Sequence, residues 1–182
     1  MDRGEFIKNL RLYGLKNDIP NITDLNARFL RDLIKIKWVK NMLEIGTANG
    51  FSAIQFGFEL EKTGWKLMTI DFSEKSYLEA TDNIKEIGLD DIITLVYGNA
   101  LHEIPKLWEV FDFVFIDGMK RRTVDFLDGV WNSVEEKGII IIDDVIKFGD
   151  KMVWLYEYLD KNNIIFHVIP IDGDDGIMMI VK

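Results

Sequence analysis

The residues able to do chemistry stand at the ends of short apolar runs. The run Asn41–Ile45 carries Glu44 and leads into Gly46-Thr47-Ala48-Asn49-Gly50-Phe51-Ser52. Gly46 and Gly50 permit a tight turn that brings backbone close to a ligand, and the helix that follows presents free N–H groups. The glycines are four apart and follow a carboxylate, which is not the dinucleotide signature GxGxxG. Glu44 puts negative charge where a pyrophosphate would lie, so NAD is disfavoured and a ligand carrying positive charge is suited. The next run ends at Asp71-Phe72. Asp71 either accepts from both hydroxyls of a ribose or caps the helix expected over 74–87. Asp117 closes a fourth run, and Asp143 with Asp144 closes a fifth. Neighbouring strand ends bring such oxygens within several ångströms, and two or three carboxylates plus water form the shell that Mg²⁺ takes. Left uncompensated they would repel one another, so a divalent ion or a cationic cofactor is expected. Alternatively, Asp143 or Asp144 supports its loop or caps the next helix.

These positions need strands to hold them. Apolar runs rich in Ile, Val and Phe recur at Asn41–Ile45, Lys66–Ile70, Ile92–Val96, Phe111–Ile116 and Gly138–Ile142. Segments of helical spacing separate them, at Ser52–Lys62, Glu74–Ile87 and Arg122–Val134. The runs are apolar throughout rather than alternating, so both of their faces are expected to be buried. Repeated strand–helix units of this kind predict a parallel sheet with right-handed crossovers and helices on both faces. After Asp144 a helix near Met152–Leu159 precedes Ile164–Ile171 and Gly176–Val181, whose linker DGDDG predicts an antiparallel hairpin. Ahead of the first strand lie two amphipathic helices, Glu5–Tyr13 and Thr23–Lys37, the second capped by Thr23 or Asp24. They must cap the sheet, close over a ligand or pack on a second subunit. The expectation is one domain, with residues 1–38 a helical cap and 39–182 the core.

Composition removes whole classes of function. The chain has 182 residues and no cysteine, which excludes disulfide scaffolds, thiol nucleophiles and zinc or iron–sulfur clusters held by thiolates. Two histidines, His102 and His167, rule out a multi-histidine centre, and both are read as structural. The five tryptophans are expected to bury apolar area. Net charge is −9, but residues 1–40 hold nine Lys/Arg against five Asp/Glu. An acidic body argues against non-specific nucleic-acid binding, while the basic arm leaves room for a local RNA contact. The charged start MDRGEFIK carries the expectation of no signal peptide, and no apolar run approaches the roughly 18 residues of a membrane helix. A soluble, cytoplasmic protein without a membrane partner is expected.

LEIGTANGFS followed by TIDFS resembles the first two motifs of class I S-adenosylmethionine-dependent methyltransferases. GNA at 98–100, FDFVFIDG at 111–118, DDV at 143–145 and the terminal IPIDGDDGIMMIVK extend the likeness over almost the whole chain. Together they resemble the O-methyltransferase branch of catechol and caffeoyl-CoA methyltransferases and their small bacterial and archaeal relatives. The resemblance implies a Rossmann-like α/β fold with a seven-stranded, mostly parallel sheet. It implies S-adenosylmethionine as cofactor, with Glu44, Gly46 and Ala48 at the methionine moiety and Ser52 near its carboxylate. Asp71 and Phe72 would lie at the ribose, Asn99 and Ala100 at the adenine edge, and Met119 over the adenine or packed in its loop. Phe51 would flank the cofactor or pack on the sheet. Asp117, Asp143 and Asp144 would hold Mg²⁺, and Lys120 matches the position of the family's general base, its pKa driven down by metal and sulfonium. Relatives usually carry Asn at 144, many carry Asp at 99, and most have a longer insertion after DDV. The implied acceptor is a hydroxyl of a small phenolic, catechol-like molecule. Other readings are methylation of a wobble hydroxyuridine in transfer RNA, and a non-catalytic scaffold that keeps the cofactor pocket. A homodimer through the N-terminal helices is also expected.

Overall fold

The computed structural model describes residues 2–182. The five apolar runs form parallel strands: β1 (Asn41–Ile45), β2 (Lys66–Asp71), β3 (Ile93–Tyr97), β4 (Phe111–Ile116) and β5 (Val134–Ile142). A hairpin of β6 (Phe166–Pro170) and β7 (Gly176–Val181) completes the sheet, β7 pairing antiparallel with β5. The order is β3-β2-β1-β4-β5-β7-β6, so the chain reverses direction across the sheet between β1 and β4. At such a reversal the loops beyond the strand ends part and leave a crevice.

The period-two alternation of the strands divides the core in two. Met42, Phe113, Phe115 and Ile141 face one layer of helices: α1 (Arg3–Lys16), α2 (Asp24–Lys37), α3 (Phe51–Glu61) and α4 (Glu74–Glu86). Leu43, Val114, Ile116, Ile140 and Ile142 face the other: α5 (Ala100–Glu103), α6 (Thr123–Trp131) and α7 (Val153–Lys161). Thr23 caps α2, its hydroxyl accepting from the Asn26 N–H at 3.1 Å, and Ala27, Leu30 and Ile34 form the buried stripe of that helix. The N-terminal helices thus cover the first face of the sheet, and the segment joining them reaches over the crevice. No helix among the described residues is long and apolar enough to cross a membrane.

Two expectations need correction. β5 begins at Val134, ahead of the run at Gly138–Ile142, and Val134 pairs with Phe111 across an irregularity in register. The charged stretch Glu135–Lys137, with Lys137 at φ 64°, hides this strand start from a hydropathy reading. The tryptophans are mostly not core residues: Trp38, Trp108 and Trp154 are exposed, Trp108 to 95%. Trp38 terminates α2 in the left-handed region, Trp108 sits in the loop before β4, and Trp154 lies outside the Leu155–Leu159 stripe of α7. Trp131 alone among them packs against the buried cluster of the second layer.

Asp112 stands inside the apolar run of β4. Its two oxygens accept from the Lys40 and Asn41 N–H groups at 2.8 and 3.0 Å, clamping the entrance of β1 to β4. Asp112→Ala would leave both donors without a partner in a nearly dry place. We expect a loss of about 2–4 kcal/mol and a fall in Tm of about 5–10 °C by calorimetry. Affinity for the ligand of the crevice, at the far end of the strands, should not change.

Candidate active site

A cavity of about 970 Å³ opens over the β1–β4 crevice. Its floor is the turn after β1. Gly46 has φ 98°, and a Cβ there would lie 2.5 Å from the Asp117 carbonyl oxygen, so only glycine lets the β1 and β4 ends approach this closely. The turn is held from β2: Asp71 Oδ2 accepts from the Thr47 and Ala48 N–H groups at 2.9 and 3.0 Å, and Oδ1 accepts from Ser73 N–H at 2.8 Å. Asp71 does not cap α4; Ser73 does, accepting from Ser76 N–H. Both lone pairs of Oδ2 are thus engaged, and Oδ1 keeps one available to the cavity that Asp71 lines.

Glu44 lies beneath this turn, fully buried, and does not line the cavity. Its Oε1 accepts from Ser52 Oγ at 2.6 Å and its Oε2 from Thr69 Oγ1 at 2.5 Å. Burial raises its pKa to about 8, and these two hydrogen bonds offset only part of that shift. Glu44 is thus set behind Ser52, which does line the cavity. Phe51 is likewise withdrawn into the core, so packing on the sheet is its role, with the Arg11 guanidinium 5.4 Å above its ring.

At the other end of the cavity, oxygens from Asp117, Asp143 and Asp144 come within 4.8 Å of one another. Asp117 follows β4 and the pair follows β5, so adjacent parallel strands deliver all three. Asp144 adopts φ 64°, a left-handed conformation that Asp tolerates better than most residues. Lys120 Nζ stands 2.6 Å from Asp117 Oδ1 and 2.6 Å from Asp144 Oδ2. Burial alone would lower the Lys120 pKa, but the two carboxylates outweigh it and hold it above its ordinary value. As the chain stands, Lys120 is a cation. Burial pushes Asp117 up against the pull of Lys120, and pushes Asp143 well up with help from the Asp117 and Asp144 charges. Burial and a hydrogen bond to Asp175 raise Asp144 to about 6.

Residues 1–164 match the family described as O-methyltransferase. The chain belongs to that family. An Arabidopsis thaliana protein assigned to the caffeoyl-CoA O-methyltransferases is 30% identical over 153 residues, covering 80% of this chain and 65% of the relative. A catechol O-methyltransferase of Niastella koreensis is 29% identical over 147 residues, covering 79% of this chain and 63% of its own. The match thus spans just under two thirds of the length of these relatives. Among solved structures, an O-methyltransferase of Bacillus cereus in complex with SAH superposes with a TM-score of 0.88 at 24% identity, over 98% of this chain and 91% of that one. That likeness establishes the Rossmann-like fold.

In this O-methyltransferase-family chain, Gly46, Ala48, Ser52, Asp71, Phe72, Asn99, Ala100, Asp117, Met119, Lys120 and Asp144 all line one cavity. Phe72 and Met119 form an exposed rim. Asn99 caps the short helix α5, its Oδ1 accepting from Leu101 N–H at 3.1 Å, which leaves its amide N–H₂ to the cavity. Asp143 sits behind the cavity wall and joins the cluster from there. Three contributors went unread in the sequence. Asn26 of α2 donates to Asp143 Oδ1 at 2.8 Å, and its own Oδ1 is buried without a partner. Asp175 of the hairpin turn accepts from Ile146, Lys147 and Gly176 N–H, and its pKa falls because the Asp144 and backbone hydrogen bonds outweigh its burial. The segment 17–22 walls the cavity, pinned by Arg11 to the Asn21 and Ile22 carbonyls at 3.0 and 2.7 Å. The DGDDG turn and the polar i, i+3 pair Thr23–Asn26 were the available signals for the first two.

Proposed function

We propose that the chain is an S-adenosylmethionine-dependent O-methyltransferase that methylates a hydroxyl of a small phenolic, catechol-like acceptor with the help of a divalent metal, Mg²⁺. The observation that carries this reading is a single cavity with an anchored carboxylate, Asp71, at one end and a three-carboxylate cluster with an amine at the other. The donor set fits a hard divalent cation: three carboxylates with oxygens within 4.8 Å of one another, one of them held by Asn26. Asp117, Asp143 and Asp144 would hold the ion.

Asp71, fixed by three backbone N–H groups, has one Oδ1 lone pair left for a ribose hydroxyl of the cofactor. Asn99 offers an amide to the adenine edge and Ala100 a small side chain beside it, with Met119 and Phe72 flanking. The cofactor supplies an electrophilic methyl on a sulfonium. A bound metal lowers the pKa of a coordinated hydroxyl and fixes its direction. The protein's own work is alignment: the cavity sets the acceptor oxygen in line with the methyl carbon and the departing sulfur. Lys120, in its deprotonated form, would take the proton of the acceptor hydroxyl.

The test is a methyl-transfer assay with labelled S-adenosylmethionine, Mg²⁺ and a panel of phenols and catechols. A labelled methyl ether is expected, with the rate falling about a hundredfold or more in EDTA and recovering on added Mg²⁺. Label in transfer RNA but in no phenol would select the wobble hydroxyuridine reading instead. A chain that binds no S-adenosylmethionine is a scaffold, and the enzyme reading fails.

A further inference from the structure

Lys120 occupies the place a metal ion would need. Its Nζ lies 2.6 Å from an oxygen of Asp117 and 2.6 Å from an oxygen of Asp144, and the cluster's three oxygens all fall within 4.8 Å of one another. Hard divalent ions sit about 2.0–2.6 Å from carboxylate oxygens. An ion that took Asp117 Oδ1 and Asp144 Oδ2 would therefore compete with the ammonium for both oxygens. Moving it aside while keeping one carboxylate still leaves it a few ångströms from a positive charge in a largely buried place, where such repulsion is strong.

The other cations nearby are committed elsewhere. Arg122 pairs with Asp125 at 2.9 Å, Lys147 reaches Asp174 at 3.8 Å, and Lys151 lies 4.3 Å over the Phe148 ring. Lys120 is the ammonium inside the cluster. It sits in a single helical turn, residues 120–122, on a flexible four-carbon stem, and its side chain already lines the cavity. Little has to move for it to withdraw.

We propose that Lys120 is the resident cation of this carboxylate cluster and that a divalent ion enters by displacing it, rather than by binding beside it. The proposal rests on the metal reading given above. In the metal-free protein the lysine neutralises carboxylates that would otherwise repel. On metal entry it swings into the cavity, towards the acceptor, and the centre has two alternative occupants.

The probe is Mn²⁺, with binding followed by the loss of the free-ion electron paramagnetic resonance signal. Lys120→Met keeps the length of the side chain and removes its charge. It should tighten Mn²⁺ binding about tenfold or more, while Lys120→Arg should keep it as weak as in the wild type or weaker. S-adenosylmethionine titration of the same samples reports whether the cofactor end is intact. Equal or weaker Mn²⁺ binding by Lys120→Met overturns the displacement. Uptake by none of the three proteins overturns the metal centre itself, a different failure. A second measurement needs no uncharged variant: the Lys120 ¹³Cε resonance of the wild type, identified by its loss in Lys120→Arg, should shift as Mg²⁺ is added. A resonance unmoved at saturating Mg²⁺ overturns the proposal as well.

Discussion

Asp71→Ala is expected to weaken S-adenosylmethionine binding by about a hundredfold or more in isothermal titration while leaving the chain folded. The wild-type carboxylate acts on both sides of the crevice. One oxygen holds the Thr47 and Ala48 N–H groups of the turn after β1, and the other holds Ser73 N–H at the head of α4. That turn is unfavourable on its own, because Gly46 and Ala48 both lie at positive φ, 98° and 49°. Removing the carboxylate frees the turn to relax and deletes the acceptor proposed for the ribose. A hydrogen bond to a charged group contributes about 1.5–3 kcal/mol, so losing the one that Oδ1 can offer, together with the ordered turn, gives the stated factor. Asp71→Asn should fall between the two proteins, since it keeps one acceptor oxygen and turns an N–H₂ towards donors it cannot satisfy. Unchanged affinity in Asp71→Ala would remove the cofactor from this crevice.

The sequence exposed most of this architecture because its strands are apolar without alternation and its carboxylates follow them directly. Asp117, Asp143 and Asp144 could be read as neighbours once β4 and β5 were read as adjacent. What stayed hidden depends on pairings across the chain. Asn26 meets Asp143 at a separation of 117 residues, and the local pair Thr23–Asn26 marks a helix start without naming that distant partner. Lys120 was legible as an amine near the cluster, but its position inside the cluster depends on the direction in which the Asp144 carboxylate points. Asp144 sits on a left-handed backbone, which residue type permits without requiring. Glu44 was legible as a position but not as a buried one: the string LEIG gives the carboxylate, whereas its depth beneath the turn raises its pKa.

That depth makes a second large effect testable. Glu44 has its pKa raised to about 8 by burial, far above an unfolded glutamate near 4.3. Between those values the folded chain holds a proton that the unfolded chain lacks, so this residue's contribution to stability is full below about pH 4 and is lost as pH rises through about 8. The loss across that window is of the order of several kcal/mol. Glu44→Gln has no proton to lose there. In ligand-free protein we expect its Tm to be near wild type at pH 5 and to exceed wild type progressively up to pH 9, read by calorimetry. Cofactor binding should move the other way. A sulfonium and an ammonium held at the turn above favour the ionised glutamate, so wild-type affinity should rise with pH towards about 8, with up to one proton released on binding at pH 7. Titrations in two buffers of different ionisation enthalpy measure that proton. In Glu44→Gln the release should vanish and affinity should drop about tenfold or more, as a buried charge facing a cation is removed. Coincident stability curves for the two proteins would show that Glu44 is ionised in the free protein, and its role would then be the structural one of bonding Ser52 and Thr69. Divergent curves with equal affinities would keep the buried proton and separate it from the cofactor. The expected pattern, lower stability at alkaline pH together with tighter binding of a cation, gives a reason for a carboxylate to sit where the fold alone would favour an amide.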